Sequence, residues 1–416
     1  MECVAQGNIM ARRDVLWTYI IQVFMRFPFI FSGLIFVFSV CVGLLTSCRQ
    51  DEPAPPEVPS GRRTVLVYMV ADNNLGSADF DSYDLAEMLA GVKAGALGEG
   101  DRLLVFHEPY GTAPSLKEVT PSGVVTLASY DGDVCGVEAS TMRMVLADVR
   151  ALAPAESRGI ILWSHATGWI EDGIAENRGG ECLVSPLSFG LSGRRKMNTS
   201  TLADVLEGEG LDFVYFDCCY MMGIESVYEL RRTAPVLAGS PTELPSAGMP
   251  YERTLAHFFS PGSADVAGAA RVTFEYYDSM SGSARTSTMS VVRTAGLEAL
   301  ASATRAIYEV SKAGMPVAPF VAQRYTATGI ERCNYFDFAQ YVRHLGAGHP
   351  ALVAAFDAAL SSTVVYEAAT PYLWSSIALS DHCGLSTYIL PTYADAADRG
   401  YSSLEWWPDV ASHLQQ

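Results

Sequence analysis

Five short runs of unbroken apolar sequence constrain this chain most, each set apart from the next by a longer stretch with apolar residues three and four apart. The runs are Thr64 to Val70, Arg102 to Phe106, Gly159 to Trp163, Phe213 to Phe216 and Val236 to Ala238. A strand reads as continuously apolar only when both faces are covered, which is the condition of a parallel sheet between crossover helices. Phe80 to Gly91, Ser140 to Leu152 and Thr199 to Glu207 supply those helices. Thr199 or Ser200 suits the cap of the last, and Asp72-Asn73-Asn74 closes the first strand with turn chemistry. The chain is expected to be α/β, a mainly parallel sheet flanked by helices. From about Ser260 the pattern is helical, at Ala264 to Met280 and Leu297 to Ala313, with strand-like Thr286 to Val292 and Ser386 to Leu390. That predicts an α+β C-terminal extension, residues 256–416, carrying little chemistry, buttressing a core of residues 63–255 and able to lengthen its sheet.

The first 48 residues are of a different kind. Phe27 to Ser47 contains no charged residue and is long enough to cross a bilayer. It ends on Leu45-Thr46-Ser47-Cys48, followed by Arg49-Gln50-Asp51-Glu52. This resembles a bacterial lipoprotein signal in which Cys48 is lipidated and becomes the first mature residue. An uncleaved signal-anchor helix is the alternative, and a second apolar run at Val15 to Met25 fits a translation start at Met25. Residues 49–62, with Pro53, Pro55, Pro56 and Pro59, read as a stiff tether. The resulting expectation is a cell-envelope protein, an outer-membrane lipoprotein, with the acidic residues after Cys48 pointing to surface display.

Composition removes whole classes of function. With 49% hydrophobic and 18% charged residues the chain is a folded protein, not a disordered or coiled-coil one. A net charge of −18 has the wrong sign for gripping nucleic acid through a general basic surface. Beyond Cys48 six cysteines remain, at 135, 182, 218, 219, 333 and 383, too sparse for a disulfide scaffold and without zinc spacing.

In α/β sheets ligands bind beyond the carboxyl ends of the strands. The third run leads into Ser164-His165-Ala166-Thr167-Gly168-Trp169, and the fourth into Asp217-Cys218-Cys219, followed by an expected helix with Ile224, Val227, Tyr228 and Arg231 on one side. A histidine and a cysteine at the ends of neighbouring strands are placed to act as imidazole and thiol nucleophile. A helix starting beside Cys219 would favour its thiolate. Side chains alternate along a strand, so Asp217 and Cys219 share a side while Cys218 turns into packing. Asp217 is then either an acidic wall beside the nucleophile or the N-cap of the following helix.

Asp72-Asn73-Asn74-Leu75, Trp163-Ser164-His165 with Gly168-Trp169, and Asp217-Cys218-Cys219-Tyr220-Met221 with Gly223 and Glu225 together resemble the clostripain family of cysteine endopeptidases. Pro241-Thr242-Glu243, Gly248-Met249-Pro250-Tyr251, Gly384 to Pro391 and Trp406-Trp407 are similar to later family segments, so the likeness spans roughly Thr64 to Leu414. The resemblance implies a caspase-like fold, Cys219 as nucleophile and His165 as general base of a two-residue site, and Asp217 as the residue that selects Arg or Lys at P1. Where this family usually has Gly after the histidine, with its N–H in the oxyanion hole, this chain has Ala166. If the site demands a positive φ there, alanine costs on the order of 1 kcal/mol.

Other residues carry weaker signals. Glu243 is either a second acidic wall of the pocket or a solvated loop acid. His107 follows a strand end and could line the cleft, whereas His257, His344, His349, His382 and His413 show no ligand spacing. Asp79, Asp81 and Asp84 could ligate calcium, which the family's type member uses, or simply supply charge at a helix start. No cofactor is required. The segment between His165 and Cys219 is rich in Gly (Gly173, Gly179, Gly180, Gly190, Gly193) and carries Arg178, Arg194, Arg195 and Lys196. Family members are processed in this region, so Arg194 to Lys196 is the expected self-cleavage site, with a solvated basic loop in an otherwise acidic protein as the alternative. The overall expectation is a monomeric, lipid-anchored cysteine endopeptidase acting on proteins or peptides with a basic P1 residue. The alternatives are a catalytically silent peptide-binding lipoprotein and a cysteine amidase or transpeptidase on the same fold.

Overall fold

A nine-stranded mixed sheet runs through the computed structural model, which describes residues 60–170, 189–311, 322–326, 335–389 and 400–415. All of these lie in one compact unit, Val58–Gln416. The signal segment with Cys48, the tether up to residue 59, Gly173, Arg178, Gly179, Gly180, Cys182, Cys333, Ala313 and Leu390-Pro391 lie outside the described residues.

In chain order the sheet strands are β1 (Gly61–Val70), β2 (Asp101–Glu108), β3 (Ser115–Thr120), β4 (Gly123–Ser129), β5 (Ala155–Trp163), β8 (Phe213–Asp217), β9 (Val236–Gly239), β10 (Thr288–Arg293) and β12 (Val364–Ala369). Between them lie two short strands, β6 (Phe189–Ser192) and β7 (Arg195–Met197), which form a hairpin, and β11 (Tyr335–Asp337). The spatial order is β12-β10-β9-β8-β5-β1-β2-β3-β4. All five apolar runs are strands, and they form the parallel middle of the sheet, β2-β1-β5-β8-β9. Antiparallel pairs flank that middle: β3 and β4 beyond β2, β10 and β12 beyond β9. The sheet is therefore parallel at its centre and mixed overall. The C-terminal half lengthens it, because β10 and β12 come from beyond residue 256. The expected tether runs two residues too far, since Gly61 and Arg62 already belong to β1.

The helices around the site are α1 (Asn74–Ser77), α2 (Phe80–Lys93), α3 (Ala139–Leu152), α4 (Thr199–Leu206), α5 (Ile224–Glu229) and α6 (Tyr251–Phe258). Two apolar layers sandwich the sheet. One gathers Leu66, Tyr68, Leu104, Ile160, Leu162, Val214 and Phe216 against α3, α4, α5 and the C-terminal helices. The other gathers Val65, Val67, Met69, Leu103, Ile161 and Tyr215 against α2 and α6. Alternate residues of β1, β5 and β8 thus enter opposite layers, which is why these strands carry no polar face. The cap of α4 differs from expectation: Asn198 is the N-cap, and Thr199 turns its hydroxyl to the Gly168 carbonyl.

Candidate active site

β5 and β8 pair in register up to Trp163 opposite Asp217, so the segments that follow leave the sheet side by side. Ser164 anchors the first, donating to the Val70 carbonyl at 2.8 Å and accepting from Leu191 N–H at 3.1 Å. His165 comes next, half-buried, its Nε2 2.7 Å from Asn74 Oδ1. With an amide oxygen as acceptor, Nε2 carries the proton and Nδ1 the lone pair. Burial lowers the imidazole's pKa, which favours the neutral ring. Asn73 holds the partner segment in place by capping α1 through Leu75 N–H at 2.8 Å and donating to the Leu191 carbonyl at 2.7 Å.

Cys219 sits one turn beyond β8 and shares with His165 a cavity of about 260 Å³, which also takes in Asp217, Glu243 and Trp374. Its sulfur accepts from Leu244 N–H at 3.3 Å. Burial pushes the thiol up to about 12, against that N–H, and the carboxylates of Glu243 and Asp217 push it further. The expected thiolate is therefore absent at neutral pH. The reason is local. Instead of starting beside Cys219, α5 has Gly223 as its N-cap, so its positive end lies several residues away. Tyr220 fills the gap with a left-handed backbone, φ 60°, a strained conformation for a bulky residue. Its N–H bonds to the Thr242 carbonyl at 2.9 Å and its ring stacks on Tyr335 at 5.2 Å, and these contacts hold the strain. Cys218 points into the core, as strand alternation predicts.

Asp217 lines the cavity and is buried, 5% exposed. It does not cap the helix after β8. Its oxygens accept from Met249 N–H at 3.0 and 3.1 Å and from the Tyr251 hydroxyl at 3.0 Å. Gly248, with φ 61°, permits this approach, since a Cβ there would come within 2.9 Å of Asp217 Oδ2. Burial raises the Asp217 carboxyl to about 6, the Met249 and Tyr251 hydrogen bonds oppose that, and the Glu87 charge adds to it. Asp84 is buried behind the site, its carboxyl taking the Trp163 indole N–H at 2.6 Å and raised to about 9 by burial and by the Asp217 charge. Neither Asp217 nor Asp84 meets a Lys or Arg side chain among the described residues.

The remaining candidates divide. Glu243 borders the cavity, half-buried. Ala166 is absent from the non-glycine residues of positive φ, so alanine brings no left-handed strain there. It faces Phe189 in an isolated bridge closed by Gly190 N–H to the His165 carbonyl, and among the described residues no backbone partner of the Ala166 N–H occurs. Arg194 lies at the turn of the β6–β7 hairpin, with Arg195 and Lys196 following it in β7. Arg194 is exposed and Arg195 is paired with Glu138. His107 does not line the cleft. It is buried between Asp81 and Lys117, 2.6 Å from each. Asp81 and Asp84 are thus spoken for by His107 and Trp163, and no cluster that could hold a metal ion occurs among the described residues. His257, His382 and His413 pair with Asp265, Glu367 and Glu309. Sequence reasoning missed Asn74 as the histidine's partner, Tyr251 as that of Asp217, and Trp374 altogether.

A model of the Clostripain family matches residues 67–398. Among solved structures the chain is similar to an inactive zymogen C11 protease from Parabacteroides distasonis, 27% identical with a TM-score of 0.72, over 85% of this chain and 99% of that one. It is also similar to a secreted C11 cysteine protease from Bacteroides thetaiotaomicron in complex with an irreversible peptide inhibitor, 27% identical with a TM-score of 0.69, over 84% and 98%. Comparison with curated proteins finds no match. Fold, strand-end chemistry and family match agree: the chain belongs to the clostripain family and is a cysteine peptidase with a caspase-like α/β fold.

Proposed function

We propose that this peptidase is an exported endopeptidase that cleaves after Arg or Lys, with Cys219 as nucleophile, His165 as its base and Asp217 as partner of the P1 cation. One observation carries the reading: Asp217, a buried carboxyl without a cationic partner among the described residues, lines the same cavity as the Cys219 thiol. A buried carboxyl raised by desolvation gains most from an incoming guanidinium or ammonium. Both catalytic groups start neutral, so the thiolate forms in step with attack. His165 Nδ1 takes the thiol proton as the sulfur bonds to the scissile carbonyl carbon. The oxyanion leans on the Ala166 N–H, the C–N bond breaks, and the amine departs with the proton from the imidazolium. Water then hydrolyses the thioester, again with His165 as base. These steps need no cofactor.

The uncut chain is read as latent, activated by cleavage at Arg194, Arg195 or Lys196, since the β6–β7 hairpin presents basic residues to a protease that prefers them. The similar protein from Parabacteroides distasonis being an inactive zymogen supports this. Export as a lipoprotein held by Cys48 follows from the lipobox and agrees with the secreted relative. Calcium stays an accessory of the family type rather than part of the site.

The test is hydrolysis of fluorogenic peptides with Arg, Lys, Leu or Asp at P1, with and without a thiol alkylator. Arg and Lys peptides should be cleaved and alkylation should stop it. Cleavage confined to Leu or Asp, or no cleavage after limited trypsin treatment, refutes the reading. Palmitate labelling that persists in Cys48→Ala refutes the anchor.

A further inference from the structure

Among the described residues of the C-terminal half, Trp374 alone lines the cavity, and it does so from a turn that the residue does not suit. The strands β13 (Tyr372–Leu373) and β14 (Ile377–Ala378) form a hairpin in which Ser376 N–H bonds the Leu373 carbonyl at 3.0 Å. Trp374 and Ser375, the two residues inside that bond, have φ of 52° and 59°. This is the pattern of a type I′ turn, for which Asn-Gly is the natural pair and an indole is an outlier. Burial does not offset the mismatch. Trp374 is 36% exposed, whereas Trp163, Trp169 and Trp406 are buried. The neighbourhood holds the turn all the same: Trp374 N–H donates to Thr286 Oγ1 at 3.2 Å, and Thr370 N–H to the Ser287 carbonyl at 2.9 Å. A strained residue kept in place by its surroundings, with its side chain on a cavity, is the kind of outlier from which a functional role is inferred.

We infer that Trp374 is the outer wall of the P1 pocket, where its ring packs against the methylene stem of the substrate's basic side chain and helps set substrate preference. This deepens the proposed function and rests on it. Asp217 and Trp163 are buried and form the inner end of the cavity, and Trp374, partly in solvent, forms its rim. An Arg or Lys that brings its charge to Asp217 must lay its stem past that rim, and an aromatic face there favours both the stem and the cation.

The decisive variant is Trp374→Asn, because Asn suits the turn. Its melting temperature should equal or exceed that of the wild type, while kcat/KM falls about fivefold or more for Arg and Lys peptides alike, chiefly through KM. Trp374→Phe should recover at least half of that loss. Wild-type kcat/KM in Trp374→Asn, or a loss that merely tracks a falling melting temperature, overturns the inference. If the wild type prefers a non-basic P1 residue, the proposed specificity fails, and an unchanged kcat/KM in Trp374→Asn on that preferred peptide overturns the role of Trp374 separately. If nothing is cleaved, an Arg-ended peptide is titrated into Cys219→Ala protein. Equal affinity with and without Trp374→Asn overturns the inference, and weaker binding with it supports it.

Discussion

The amino ends of β1 and β2 and the carboxyl ends of β5 and β8 treat buried charge in opposite ways. At the amino ends Arg63, 2% exposed, spends its guanidinium on Ser157 Oγ at 2.8 Å and on the carbonyls of Phe258 at 2.9 Å and Ser260 at 3.0 Å. Arg62 pairs with Asp101 beside it, and Arg102 takes Glu118 with two bonds of 2.7 Å. At the carboxyl ends Asp217 and Asp84 are buried with hydrogen bonds but no cation among the described residues, and Cys219 and His165 each bond groups other than the other. Satisfied charge holds a fold together, whereas charge left short of a partner is a vacancy for a substrate. On the proposed reading, the same end of the sheet weakens the fold and does the chemistry.

The largest effect expected is that of Cys219→Ala, which should cut hydrolysis of the preferred peptide by at least about a thousandfold while the protein melts as the wild type does. On a denaturing gel the variant should stay a single chain under conditions where the wild type is cut within Arg194 to Lys196. Wild-type activity in Cys219→Ala would place the nucleophile elsewhere and end the comparison at its strongest point. A single-chain, fully active wild type would leave the site standing and remove latency.

Asp217→Asn comes next. Loss of a charge partner in a desolvated pocket costs roughly 2–5 kcal/mol, so kcat/KM on Arg and Lys peptides should fall at least about 30-fold. Arg should lose more than Lys, because its fork engages two carboxylate oxygens. The pH profile separates recognition from folding. The folded-state value of about 6 lies above an ordinary Asp, so ionising Asp217 opposes the fold: stability contributed by its protonated form is present at low pH and is lost as pH rises from about 4 through 6. Substrate binding needs the ionised form, so kcat/KM on Arg peptides should climb over that same upper range. The variant should flatten both trends. A variant that keeps its Arg preference would make the carboxyl structural and pass the pocket acid to Glu243.

What the sequence disclosed follows the same division. β1, β2, β5, β8 and β9 were legible because burial on both faces writes an unbroken apolar run. β3, β4 and β12 were not, since they have a solvent-facing side and their sequences, such as Ser115-Leu116-Lys117-Glu118-Val119-Thr120, resemble any alternating surface segment. His165, Cys219 and Asp217 could be read from strand ends and alternation, rules local to a few residues. The state of the thiol could not, because it depends on a left-handed Tyr220 that delays the helix and on Leu244 and Glu243 arriving from another loop. Trp374 lies more than a hundred residues from both His165 and Cys219, and only tertiary docking brings its turn to the cavity.

The smallest effect on catalysis, and the sharpest contrast, belongs to the opposite end of the sheet. Arg63→Met keeps an unbranched stem of comparable reach in the apolar surroundings but leaves the Phe258 carbonyl without its donor, while the Ser260 carbonyl keeps only that of Arg62. An orphaned buried acceptor costs about 1–3 kcal/mol, so the melting temperature should fall by about 2 °C or more. These carbonyls lie at the end of α6 and just past it, and the first residue of that helix, Tyr251, also holds Asp217, so a disturbance has a physical route to the pocket. The tight packing of α6 on α2 and on the sheet should confine it. Well below the transition, kcat/KM per folded molecule and the Arg-to-Lys ratio should both stay within about twofold of the wild type. If Arg63→Met instead shifts that ratio with an unchanged melting temperature, α6 transmits strain to Asp217 and the two ends of the sheet are one coupled device.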